Sequence, residues 1–116
     1  MAESVLKTKS YQFALEIIEE TKNLNEQREF ILSKQILRSG TAIGALIREA
    51  EFAQSRKDFI SKLSIALKEA NETEYWLSLL ADSKYMAKES YSKLSNELLE
   101  LIKLLVSSIK TSKSKL

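Results

Sequence analysis

The sequence predicts an all-α fold, an antiparallel up-down-up-down four-helix bundle. The 116 residues contain no proline and only two glycines, the residues that most strongly interrupt helices. Apolar residues make up 44% of the chain, and they recur at spacings of three and four, which places them on one face of a helix. Short polar breaks divide this pattern into four segments, and short connections favour antiparallel neighbours. The predicted helices cover about residues 5–24, 27–53, 56–82 and 88–110, followed by a basic tail at 111–116, and the chain 1–116 forms a single domain.

Apolar faces indicate the first two helices, and one polar break separates them. Phe13, Ile17 and Leu24 share a face of the first helix. The stretch KNLNEQRE ends that pattern, and Asn25 within it is predicted to cap the second helix. The second helix then shows an apolar face at steps of three and four: Leu32, Ile36, Gly40, Ile43, Ile47 and Ala50.

The third and fourth helices repeat this spacing. Ser55 and Asp58 are predicted to form a capping box at the start of the third helix. The apolar face of the third helix alternates steps of four and three, the pattern of a bundle seam: Phe59, Leu63, Ala66, Ala70, Thr73, Leu77 and Leu80. After the connection SKYMA, the fourth helix shows the same steps: Tyr91, Leu94, Leu98, Leu101 and Leu105.

Both glycines fall inside the second helix, four residues apart. Gly40 lies at the centre of the apolar face, and Gly44 lies about 40° round from it by helical geometry. Because glycine costs about 1 kcal/mol in a helix interior, we expect a compensating close contact with a neighbouring helix. Binding of a phosphate group is the weaker interpretation, since such glycines lie in a loop before a helix.

The composition excludes several functions. The chain has no histidine and no cysteine, which removes the commonest general base, the thiol nucleophile and most transition-metal ligands. We therefore predict a non-enzymatic protein with no metal and no cofactor. No apolar run is long enough to cross a membrane, and the first residues lack the apolar segment of a signal peptide. These features predict a cytoplasmic protein without membrane contact.

Basic residues suggest a surface for nucleic acid. Lys34, Arg38 and Arg48 fall within an arc of about 80° on the outer face of the second helix, where they can oppose phosphates. Residues 87–116 add an excess of lysine, and the candidates there are Lys103, Lys110 and Lys113. A solvated charged face explains the same pattern, and no aromatic residue lies within it to stack on bases.

A mixed stripe on the third helix suggests a contact between subunits. It lies beside the core seam and combines aromatic, aliphatic and acidic side chains: Ile65, Glu69, Glu72, Trp76 and Leu79. Tryptophan is enriched in subunit interfaces, so a homo-oligomer is predicted. The alternative is that Trp76 covers the edge of its own bundle.

Two consecutive stretches carry a resemblance to a known family. They read LSKQILRSGTAIGALIREAE (32–51) and SRKDFISKLSIALKEANETEYWL (55–77), and the runs RSG and ALKEA are their most specific parts. On these residues the chain resembles the four-helix-bundle family of S23, or 23S rRNA intervening-sequence, proteins. The resemblance covers nearly the whole chain.

The resemblance implies a small bacterial, cytoplasmic bundle. Related proteins form pentameric barrels, so it implies a homopentamer. A related protein, the accessory protein of diversity-generating retroelements, binds nucleic acid and associates with a reverse transcriptase. For most members the resemblance implies a fold and no established biochemical activity.

The chain departs from the family pattern at four positions. Ala42 and Leu46 stand where polar residues are usual, which makes the surface of the second helix more apolar. Lys84 stands where glycine is common, and Ala87 where a capping Ser, Thr or Asp is common. The last two changes weaken helix ends and leave the fold intact.

Two functions are compatible with these residues. The first is a homo-oligomer that binds RNA or DNA nonspecifically through basic surfaces, with an affinity that falls as salt rises. The alternative is an oligomeric helical adaptor for a protein partner such as a reverse transcriptase. An adaptor would bind through apolar surface, with little dependence on salt and without binding nucleic acid itself.

Overall fold

Four long helices account for most of the described chain. The computed structural model describes residues 2–116, with side chains from residue 5 onward. The helices are α1 (Ala2–Glu26), α2 (Ile31–Glu51), α3 (Arg56–Asp82) and α4 (Lys88–Lys113). Each helix packs on the next one in the chain, and α1 also packs on α4, which closes a ring around one core. The predicted all-α four-helix bundle is confirmed, with extents of 47 × 21 × 19 Å.

One hydrophobic core runs along the bundle axis. All four helices contribute its largest fully buried side chains: Leu6, Phe13, Ile17, Leu24, Ile36, Ile43, Leu63, Leu77, Leu80, Leu98, Leu101 and Leu105. Burial of each such side chain contributes about 1.5–3 kcal/mol. Contacts are densest between α2 and α3 and sparsest between α1 and α4. The α1–α4 contact is therefore the weakest side of the ring.

The two glycines lie on the side of α2 that faces α1. A β-carbon at Gly40 would lie 2.9 Å from Ile17 Cγ1 and 3.0 Å from Ile17 Cγ2. A β-carbon at Gly44 would lie 3.3 Å from Ser10 Oγ. Both glycines keep negative φ, so they serve helix packing and not a turn. Their missing side chains allow α1 and α2 to pack at this separation.

The connection between α1 and α2 differs from the prediction. α1 continues through Asn25 to Glu26, and Arg28 then adopts a left-handed conformation with φ 66°. Glu29 N donates to Leu24 O at 2.9 Å, and Arg28 N donates to Asn25 O at 3.0 Å. These two bonds form a Schellman C-cap. Asn25 thus belongs to the last turn of α1, and its assignment as the N-cap of the second helix is wrong.

Glu29 takes the capping role at the start of α2. Its Oε1 accepts from Leu32 N at 2.6 Å and from Ser33 N at 3.3 Å, which satisfies two amides that have no partner inside the helix. α2 consequently begins at Ile31, four residues after the predicted start. Asn25 contributes through its Oδ1, which accepts from Ser33 Oγ at 3.0 Å.

The α2–α3 turn begins earlier than predicted and ends as predicted. α2 ends at Glu51, because Phe52 N and Ala53 N bond to carbonyls only three residues back and tighten the chain. Ser55 then caps α3: its Oγ accepts from Asp58 N at 3.1 Å. The Asp58 carboxylate in turn accepts from Gln54 N at 3.1 Å.

The end of α3 and both ends of α4 also have identifiable causes. Lys84 has φ 71° and stands in a second Schellman C-cap, with Tyr85 N donating to Leu80 O at 2.9 Å. Ala87, the N-cap of α4, has no side-chain hydrogen bond. α4 extends to Lys113, so the first half of the predicted tail is helical. Ser112 is buried against the bundle, which keeps this last turn in place.

Candidate nucleic-acid interface

The fold separates charge along the bundle axis. The basic half, defined as residues 5–13, 42–68 and 99–116, contains the start of α1 and α3 and the end of α2 and α4. Its eleven cations are Lys7, Lys9, Arg48, Arg56, Lys57, Lys62, Lys68, Lys103, Lys110, Lys113 and Lys115. Its four acids are Glu49, Glu51, Asp58 and Glu100. This half is therefore strongly positive.

The acidic half, residues 14–41 and 69–98, has the opposite balance. Its seven cations are Lys22, Arg28, Lys34, Arg38, Lys84, Lys88 and Lys93. Its eleven acids are Glu16, Glu19, Glu20, Glu26, Glu29, Glu69, Glu72, Glu74, Asp82, Glu89 and Glu97. The 47 Å length of the bundle is several times the Debye length of about 8 Å at physiological salt, so the two halves present separate potentials to a large ligand.

The six predicted nucleic-acid residues do not form one site. Arg48 lies in the basic half on α2, together with three candidates on α4: Lys103, Lys110 and Lys113. These four side chains are exposed and have no carboxylate within 4 Å among the described residues. Lys34 and Arg38 lie in the acidic half. Two of the six residues predicted from sequence thus lie outside the positive field that the fold assembles.

Arg38 is bound within its own chain. Its Nη1 lies 3.1 Å from Glu69 Oε1, and its Nη2 is paired with Glu72. The hydrogen bond to Glu69 is the largest cause that raises the pKa of Arg38. Arg38, Glu69, Glu72 and Trp76 form one cluster across α2 and α3, here named the Arg38 cluster. A guanidinium held by two carboxylates is a poor contact for phosphate.

The Arg38 cluster also determines the character of the predicted interface stripe. Trp76 Nε1 donates to Glu72 Oε2 at 3.0 Å, and this bond, followed by the pairing with Arg38, lowers the pKa of Glu72. Trp76 is half-buried against the core, Leu79 is half-buried, and Ile65 is exposed. The stripe lies along the outer edge of the α2–α3 contact, and its two carboxylates are both paired with Arg38, which leaves one net negative charge in the cluster.

An exposed tyrosine that the sequence reading missed lies in the basic half. Tyr11 is 57% exposed and borders an open groove between α1 and α2, here named the Tyr11 groove. The volume of the groove is about 210 Å³. Its lining consists of Lys7, Ser10, Tyr11, Ala14, Thr41, Gly44, Ala45 and Arg48. Helical spacing would have revealed Tyr11, because it lies about 160° from Phe13 and 120° from Ile17 around the helix.

The α1–α4 contact contains a group of interacting charges. Lys93 of α4 pairs with Glu16 of α1 and lies 3.4 Å from Glu97 Oε2. Glu97 Oε1 is buried without a hydrogen-bond partner among the described residues. Burial, and next the nearby Glu16 carboxylate, raise the pKa of Glu97. Ionisation of Glu97 therefore lowers the folding stability at the α1–α4 contact, the weakest side of the ring.

The described residues supply no arrangement for metal chemistry or for a membrane span. Over residues 5–116, no three acidic side chains are grouped as a metal site. None of the four described helices combines the length and the hydropathy that a membrane crossing requires. In the basic half the structure instead brings together exposed cations and the exposed ring of Tyr11.

Comparison with known proteins identifies the family. The model of the 23S rRNA-intervening sequence protein family matches residues 3–107. The chain belongs to this family. A crystal structure from the same family, of a protein of unknown function from the S23 ribosomal protein family of Bacteroides thetaiotaomicron VPI-5482, has 60% sequence identity and a TM-score of 0.93. That match covers 95% of this chain and 99% of the other. No curated protein matches the chain.

The family match confirms the resemblance drawn from the second and third helices. Both stretches that carry it, 32–51 and 55–77, lie inside the matched range. The family is described only by its relation to the 23S rRNA intervening sequence, and the structural relative is described as having unknown function. The geometry of this chain must therefore carry any proposal about activity.

Proposed function

We propose that this family member is a non-enzymatic, homo-oligomeric protein that binds RNA or DNA nonspecifically through its basic half. The observation that carries the proposal is the separation of charge: the basic half contains eleven Lys and Arg residues but only four Asp and Glu residues. Such a surface attracts phosphates without reading sequence, and its affinity depends steeply on salt. Repetition of the surface in an oligomer multiplies the contacts.

A matched pair of variants tests this proposal. The first replaces Lys103, Lys110 and Lys113 of the basic half with Gln. The control replaces three exposed lysines of the acidic half, Lys34, Lys84 and Lys88, with Gln. Both remove the same charge, so net charge alone predicts equal effects.

Binding of a labelled duplex is measured by fluorescence anisotropy across a salt series. We expect the first variant to lose affinity and to flatten the salt dependence by about one unit of slope for each phosphate contact removed. The control should bind like the parent protein. Equal losses in the two variants, or no binding by the parent at low salt, would refute the assignment to the basic half.

The homo-oligomer is proposed to form through the stripe of Ile65, Glu69, Glu72, Trp76 and Leu79. Intrachain pairing with Arg38 removes much of the cost of burying two carboxylates, and the partly exposed Trp76 ring supplies apolar area. Light scattering should show Trp76→Ala shifted toward monomers, whereas Trp76→Phe keeps the assembly mass. A Trp76→Ala variant with the mass of the parent would remove Trp76 from the interface. The resemblance sets five as the expected number of subunits.

A second candidate function is supported by a different surface. Leu99 and Val106 are exposed on α4, and Ile102 between them is half-buried. This stripe suits an adaptor that binds a protein partner through apolar contacts. Adaptor binding would survive high salt and would be lost in Val106→Lys, while the Gln variants of the basic half would keep it. In a pull-down with this protein as bait, loss of all bound material after nuclease treatment would contradict the adaptor function.

A further inference from the structure

The Tyr11 groove has the components of a site for a single base. Several of its lining residues are small, among them Ala14, Gly44 and Ala45. Gly44 of α2 stands where α1 comes close, since even a β-carbon there would lie 3.3 Å from Ser10 Oγ. The packing that the glycines permit inside the bundle thus leaves a groove on its surface.

The two walls of the groove carry different chemistry. Tyr11 on α1 offers an exposed aromatic ring, and Arg48 on α2 offers a guanidinium. Arg48 has no carboxylate within 4 Å among the described residues, whereas Lys7 at the end of the groove is 2.9 Å from Glu51. Arg48 is thus the lining cation available to an anion. It lies within the positive field of the basic half.

We propose that the Tyr11 groove binds single-stranded nucleic acid, with one base stacked on Tyr11 and a neighbouring phosphate on Arg48. The proposal rests on the proposed function, because it names the form of nucleic acid that the basic half prefers. Stacking of a base on an aromatic side chain is tolerant of sequence, which agrees with nonspecific binding. In a duplex the bases are stacked on one another, so a duplex gains only the phosphate contacts.

Anisotropy with two labelled probes of equal length tests the groove: oligothymidylate and a duplex DNA. The variants are Tyr11→Ala, Tyr11→Phe and, as a control, Tyr75→Ala, since Tyr75 is 58% exposed and lies in the acidic half. Ala45→Leu provides a second route, because it fills the groove from the surface and leaves the core untouched. Light scattering confirms that each variant keeps the assembly of the parent.

We expect Tyr11→Ala to weaken binding of oligothymidylate by about 5- to 150-fold, the range for loss of one base–aromatic stack. Duplex binding should change little. Tyr11→Phe and Tyr75→Ala should bind both probes like the parent, and Ala45→Leu should resemble Tyr11→Ala. Unchanged oligothymidylate binding in Tyr11→Ala, or equal losses for both probes, would overturn the groove and leave the proposed function standing. A parent protein that binds neither probe at low salt would overturn both.

Discussion

The close approach of α1 and α2 predicts opposite outcomes for the same substitution at two glycines. Alanine at either position gains about 1 kcal/mol of helix propensity over glycine. At Gly40 the new methyl group would lie 2.9 Å from Ile17 Cγ1 and 3.0 Å from Ile17 Cγ2, against an ordinary separation of about 3.5–4.0 Å. At Gly44 the nearest atom is Ser10 Oγ at 3.3 Å, a shortfall of a few tenths of an ångström.

The change in stability of each variant depends on whether the atoms next to the new methyl group can move away. Ile17 is fully buried and β-branched, so its γ-carbons cannot rotate away freely. Overpacking of this kind costs about 1–3 kcal/mol, and a cost in the upper part of that range exceeds the propensity gain. We expect Gly40→Ala to destabilise the protein by about 1–2 kcal/mol. Gly44→Ala should be neutral or stabilise it by up to about 1 kcal/mol.

Urea unfolding at one fixed protein concentration measures both variants, since self-association would make stability depend on concentration. A double-mutant cycle with Ile17→Ala, which removes both γ-carbons, should show favourable coupling to Gly40→Ala of about 1–2 kcal/mol. Ile17→Ala should show no comparable coupling to Gly44→Ala. If Gly40→Ala were as stable as the parent and uncoupled from Ile17, the close contact at Gly40 would be refuted.

Three further predictions concern helix ends and pH. Lys84→Gly should stabilise the protein by about 0.5–1 kcal/mol, because φ is 71° there and glycine adopts that conformation without strain; a lower denaturation midpoint would contradict this. Ala87→Asp should add about 1 kcal/mol through a new N-cap on α4, and the gain should fall when the carboxylate is protonated in acid. Glu97→Gln should be more stable than the parent at neutral pH and lose that advantage below the ordinary carboxyl pKa of about 4.3. Burial raises the pKa of Glu97 in the folded protein, so the stability of the parent falls as pH rises from the ordinary carboxyl pKa through this raised pKa. Urea unfolding of both proteins across this pH range measures the difference.

The fold was predictable because a single repeated physical signal specifies it. Apolar residues at steps of three and four define one face for each helix, and the buried residues of α3 follow those steps from Leu63 to Leu80. The start of α2 was not predictable in this way. The end of α1 and the cap of α2 depend on three neighbouring residues, Asn25, Arg28 and Glu29. The position of the boundary is set by Arg28, which adopts a left-handed conformation although it is not a glycine. Glycine is the usual residue at this left-handed C-cap position, so an arginine there does not indicate a helix end.

Sequence patterns within one helix could not show the charges that surround the candidate site, for a reason that applies to any bundle. The arc of Lys34, Arg38 and Arg48 is real on the surface of α2, but the field at each residue depends on the helices beside it. α3 brings Glu69 and Glu72 to Arg38, and no spacing within α2 can reveal that. Residues close along one helix therefore acquired different electrostatic environments.

The separation of charge has the same origin and a functional consequence. Antiparallel neighbours bring the start of α1 and α3 beside the end of α2 and α4, so charges that nearly cancel along the chain accumulate at opposite ends in space. A net charge of only +2 therefore does not mean a weak field at either end, since screening acts over about 8 Å at physiological salt. An acidic half would repel nucleic acid and so orient it on the basic half. If this reasoning holds, exchanging the charges of Lys110 and Glu89 leaves the net charge unchanged and still weakens binding. Unchanged affinity in a folded double variant would show that total charge, and not its position in the bundle, governs the interaction.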